Sequence, residues 1–88
     1  MNTPILKGKN IGPVTAEELC SIGIDTLEKL MQLGWERAYQ IYVEAYPHRI
    51  NVNCLVALIG ACKNQHWQKV SVQDKMRAKQ IISRLKSY

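Results

Sequence analysis

The sequence predicts an all-α fold, a compact bundle of about five helices in a single domain over residues 1–88. Residues 1–9 form a short lead-in and 10–88 the helical core. Three observations lead there. Helix stop and start signals recur at short intervals, at Gly12-Pro13, Gly23 to Asp25, Gly34, Pro47 and Ser71. No segment alternates apolar and polar residues as a half-buried strand does. Hydrophobic residues make up 47% of the chain, enough for one core at this length, although bulk must come from Trp, Tyr, Leu and Ile because Phe is absent.

The first helix is expected over Pro13–Ile22, burying Val14, Leu19 and Ile22. Pro13 lacks an N–H and has its φ fixed near the helical value, which suits a first helical position. Gly23 can take positive φ and end the helix. Asp25, with Glu28 three residues on, reads as a variant capping box for a second helix over Thr26–Leu33, with Leu27, Leu30 and Met31 inward. Gly34 stops it. A third helix, Trp35–Tyr46, ends before Pro47. On it Trp35, Tyr39, Tyr42 and Tyr46 fall within an arc of about 80°. Four of the six aromatics of the chain thus share one stripe. Asn51 or Asn53 caps a fourth helix running to about Gln65, apolar nearly all round and therefore central. Gly60 inside it costs about 1 kcal/mol against Ala, which points to a close neighbouring helix. Ser71 caps the last helix, Val72–Lys86, with Asp74 favourably placed near its positive end.

Charge is divided unevenly. Residues 1–44 carry six acidic and four basic side chains, while residues 45–88 carry eight basic ones and only Asp74. A net charge of +5 with this asymmetry suits an anionic partner, and equally suits self-association between unlike halves. On the last helix Arg77 and Arg84 lie on one flank and Lys75, Lys79 and Lys86 on the other, with apolar residues between. This is the pattern of a core-docked helix whose basic side chains snorkel; the other reading is a helix facing DNA or an acidic partner. No apolar run approaches the roughly 18 residues of a membrane span. The polar, Gly/Pro-punctuated start offers no signal peptide, so the cytoplasm is the expected compartment, with no membrane partner.

Catalytic signatures are lacking. There is no Gly-rich phosphate loop, nucleophile elbow or evident carboxylate pair, and a small bundle offers little room for a pocket. The expectation is a non-enzyme with no small-molecule substrate and no cofactor. Cys62 and His66 stand four apart, but two ligands do not make a zinc site, so no metal is expected. Cys20, Cys54 and Cys62 read as reduced, buried thiols.

Asn10-Ile11-Gly12 followed by Ala16 and Leu19 resembles the second half of a helix-hairpin-helix motif. The segments Asn10–Leu19, Ile22–Glu28 and Pro47–Asn53 together resemble the C-terminal domain of the TfoX (Sxy) family of bacterial competence regulators, over roughly residues 8–70. The resemblance implies a helix-hairpin-helix or SAM-like bundle and a link to competence or transcription control. It departs from the motif at Asn10, which stands in place of the first hairpin glycine. Asn tolerates positive φ better than most residues, though less freely than Gly.

Two functional surfaces are expected. The leading one is protein–protein association, including a homodimer, through Trp35, Tyr39, Tyr42 and Tyr46, of which Tyr42 and Tyr46 should be partly exposed near Pro47; the competing reading of the stripe is that it packs into the core. The alternative is weak, sequence-nonspecific DNA binding through the Gly12 turn and the basic C-terminal half. At the turn Lys7, Lys9, Asn10, Gly12 and Thr15 could hold a phosphate on unpaired N–H groups. Glu17 and Glu18, one turn on, oppose it, and the competing reading of the turn is a joint between helices.

Overall fold

The structure, a computed structural model, describes residues 2–87. Five α-helices follow in order: α1 (Pro13–Ser21), α2 (Leu27–Leu33), α3 (Trp35–Ala45), α4 (Val52–Cys62) and α5 (Val72–Lys86). Single 3-10 turns occur at Ile5–Lys7, Pro47–Arg49 and Trp67–Lys69. The expected all-α bundle is observed, with no strand among the described residues beyond one bridge, Pro4 to Thr26.

Two helices end in the same way. Gly23 takes φ +86° after α1, and Ile24 N–H donates to the Leu19 carbonyl. Asn64 takes φ +56° after α4, and Gln65 N–H donates to the Gly60 carbonyl at 2.7 Å. Both are six-to-one closures around a left-handed residue. The second explains why α4 stops at Cys62 rather than near Gln65.

The start of α2 also shifts. Thr26, not Asp25, is the cap, its hydroxyl accepting from Lys29 N–H at 3.1 Å. The cause is the lead-in. Ile5 N–H donates to the Asp25 carbonyl and Leu27 N–H to the Thr3 carbonyl, so the chain stays extended one residue further. Asp25 instead pairs with Lys29, and Glu28 reaches back to the N–H and hydroxyl of Thr3. The lead-in is thus stitched to α2, and Ile5 is part of the core.

Two expected core residues lie outside. Val14 is 62% exposed because α1 buries Ala16 and Leu19, and Val14 stands about 200° round from Ala16. Met31 is 53% exposed; the short α2 buries one narrow stripe through Leu30 and, in part, Leu27. The centre is α4, whose Leu55, Leu58 and Ile59 are buried, as its apolar pattern predicts. Asn51 caps it, accepting from Cys54 N–H at 2.7 Å, and Ser71 caps α5 through Asp74 N–H at 3.1 Å. α5 packs back along α4.

Candidate functional site

At the Gly12 turn the residues expected to hold a phosphate divide. Asn10 does adopt the left-handed conformation, φ +68°, but its side chain is engaged. Its amide donates to the carbonyls of Ala57 (3.3 Å) and Gln65 (3.0 Å), and its oxygen accepts from Trp67 N–H (3.0 Å). Asn10 is therefore a tie between the hairpin turn, α4 and the Trp67 turn, and is not available to a phosphate. The same tie fills the space beside Gly60. A Cβ there would stand 2.5 Å from the Asn10 amide nitrogen and from the Gln65 carbonyl oxygen, so the close neighbour is a side chain and a loop rather than a helix. Lys7, Lys9 and Gly12 are exposed, and Thr15 is half-buried. The N–H groups of Gly12, Val14 and Thr15 find no partner among the described residues.

The aromatic stripe on α3 faces the core. Tyr39 is 2% exposed and Tyr42 0%, so neither can reach a partner, and Trp35 and Tyr46 are partly buried. The expected exposure of Tyr42 fails because its hydroxyl has an internal acceptor. It donates to Glu18 Oε1 at 2.6 Å, which lets the whole ring be buried without an orphaned O–H. Arg49 Nε donates to the same oxygen at 2.7 Å, and His48 Nε2 lies 3.4 Å from Oε2. Tyr46 and Ser21 share a hydroxyl–hydroxyl bond of 2.6 Å, and Tyr39 donates to the Arg49 carbonyl at 2.8 Å. Burial of Glu18 opposes its charge, yet the Tyr42 and Arg49 hydrogen bonds and the cationic Arg49 outweigh it and hold its pKa below the ordinary value. Burial pushes Tyr39 up to about 12.

A different surface carries the exposed features. A solvent-open groove of about 700 Å³ runs between α4 and α5. Its α4 side is Val52, Val56 and Ala57 with the polar Asn53 beside them. One rim is Lys75 and Lys79, and the other is Asn10 with the His66–Trp67 turn. Trp67 is 48% exposed, its ring stacked obliquely on His66 with centroids 5.6 Å apart. Val72 and Met76, on the same side of α5 as the two lysines by helical spacing, are also exposed. No carboxylate lines the groove, and neither lysine has an ion-pair partner among the described residues.

A model of the TfoX C-terminal domain matches residues 1–81 of the chain. The chain belongs to that family. A solved structure, the triclinic crystal form of an uncharacterized protein from Listeria monocytogenes, superposes with a TM-score of 0.89 at 24% identity, covering 98% of this chain and 97% of that one, and so shares the fold. No curated protein matches.

Within this TfoX C-terminal domain the ion pairs decide which charges keep a counter-charge and which stand alone. Arg49 pairs with Glu18, Arg77 with Glu36 and Lys63 with Asp74, each joining separate elements. Three of the eight basic side chains of the second half are thereby neutralised, and the groove lysines are among those left. Spacing alone could place Lys75 and Lys79 one turn apart, but not above Val52 and Val56. Likewise Pro47-His48-Arg49 signals a turn, while nothing in the sequence says that Glu18 is its partner. Cys20, expected to be buried, is exposed; Cys54 and Cys62 are half-buried, and burial raises the pKa of each thiol.

Proposed function

We propose that this domain is a non-enzymatic interaction module acting by protein–protein association through the α4–α5 groove. One observation carries the reading: the groove combines a largely aliphatic α4 side, a half-exposed Trp67 and two lysines without carboxylate partners. Trp and other large side chains at a partly desolvated patch are the usual energetic centres of an interface. The aromatic stripe of α3 is spent on the core, so the association moves from that stripe to this groove. In line with the family, competence or transcription control in the cytoplasm is the setting we propose. A photo-crosslinking residue in place of Lys79 should capture a protein partner in cells, and the same residue in place of Gln32 on α2 should not. Adducts of equal yield from both positions would remove the groove as the interface.

A second reading is weak, sequence-nonspecific DNA binding at the Gly12 turn, and a specific observation favours it. Glu18, one of the two carboxylates opposing a phosphate there, is turned into its pair with Arg49. Lys7 and Lys9, a few residues before the turn, stay exposed, and the N–H groups of Gly12, Val14 and Thr15 have no partner among the described residues. Such binding would weaken steeply with salt and be lost in Lys9→Glu. Absence of duplex binding to the full chain at low salt rejects it.

A further inference from the structure

We infer that the occupant of the α4–α5 groove is an acidic amphipathic helix of a partner protein, an inference that rests on the groove being the interaction surface. The chemistry of the lining carries it. Val52 and Val56 on α4 are one helical turn apart, and so are Lys75 and Lys79 on α5. An apolar row and a cationic row that repeat at the same interval match an occupant whose side chains repeat likewise, which is a helix with aliphatic anchors at three- and four-residue spacing. Carboxylates flanking those anchors would meet the lysines. Both cations are unpaired among the described residues and no acidic side chain lines the site, so the field in the groove has one sign.

The same lining weighs against a single-stranded nucleic acid. Its α4 side, Val52, Asn53, Val56 and Ala57, holds no aromatic ring, whereas base stacking needs aromatic platforms for successive bases. Among the described residues the aromatic rings lining the groove are His66 and Trp67, chain neighbours tilted at 34° to each other, so they offer one platform and not a series. The groove is also held in shape. The Asn10 side chain fixes the Trp67 N–H at 3.0 Å and the Gln65 carbonyl at 3.0 Å, so this rim does not have to be ordered on binding. Asn10 is thus a positioning residue for the groove.

The test is a displayed library of random peptides about four helical turns long, selected on the full chain. It is run with counter-selection on Lys75→Glu/Lys79→Glu, whose helicity is checked by circular dichroism. Enriched peptides should carry Leu, Ile, Val or Met at helical spacing flanked by Asp and Glu. They should bind the double variant about tenfold more weakly, lose affinity in Trp67→Ala, and perturb the amide resonances of Val52, Val56 and Lys79. Enrichment of neutral or basic peptides that still map to the groove would overturn the acidic helix and leave the interaction surface standing. Peptides that map elsewhere would overturn both. An oligothymidylate that binds the groove through Lys75 and Lys79, with no peptide enriched, would make the occupant a nucleic acid and overturn the inference.

Discussion

Glu18 accepts from Tyr42 and Arg49 at one oxygen while His48 stands near the other, and so it links α1, α3 and the Pro47–Arg49 turn. Removing its charge leaves the buried Tyr42 hydroxyl donating to a weaker acceptor and Arg49 without its counter-charge. Glu18→Gln should cost about 1–2 kcal/mol in urea unfolding at pH 7. The sign of the pH dependence follows from the folded pKa lying below the ordinary 4.5. The stabilisation is complete above that value and is lost as pH falls through the folded pKa. Asp25, Glu28 and Glu36 are lowered as well, so the wild type should lose stability below about pH 4.5, and Glu18→Gln should lose less there. Identical acid limbs for the two proteins would show that the cluster is electrostatically idle. Asn10 makes a second case at this scale. Restoring the hairpin glycine, Asn10→Gly, removes the left-handed strain but also three side-chain hydrogen bonds. The first effect is worth about 1 kcal/mol and each bond about 1 kcal/mol, so the variant should be less stable by about 1–2 kcal/mol. A more stable Asn10→Gly would mean that the tie contributes nothing.

The helices themselves hold differing amounts of legible information. α4 announces itself, because a helix apolar on nearly every side can only be central, and Leu58→Ala should accordingly cost about 2–5 kcal/mol. A loss below about 0.5 kcal/mol in urea unfolding would remove α4 from the centre. The cap at Ser71 and the stop at Gly23 were equally readable, since each depends on local backbone chemistry, while for α4 the sequence left Asn51 and Asn53 open and the structure uses Asn51. What escaped depends on contacts distant in sequence. The cap of α2 moved from Asp25 to Thr26 because the lead-in pairs with Asp25 and Leu27. α4 ended early because Asn64, an acceptable left-handed residue, closed it before Gln65. The α3 stripe was visible and packing into the core was one of its two readings, but the full burial of Tyr42 was not legible, since it depends on Glu18 offering an acceptor from another helix. The groove was least legible of all: its sides come from α4, α5 and Asn10 with the Trp67 turn.

Across the molecule, the split charge that favours self-association in the sequence is largely met inside one copy. Glu18, Asp25, Glu36 and Asp74 each hold a cation of the same chain, and Glu28 is bonded to Thr3. Of the seven acidic side chains, only Glu17 and Glu44 have no partner among the described residues. Two isolated exposed carboxylates give little attraction at physiological salt, where the Debye length is about 8 Å. The aromatic stripe that would have supplied an apolar contact lies in the core. The acidic half of one copy therefore has little to offer the groove of another, and the free lysines remain for a different chain. The domain alone should sediment as a monomer at micromolar concentration in about 0.15 M salt, and association should grow only as salt is lowered. A dimer whose stability rises with added salt would point to an apolar interface instead. The exposed Val72 and Met76 beside the groove would then be the first positions to replace with Ser. If that restored the monomer, it would make a second copy, rather than an acidic helix, the occupant of this face.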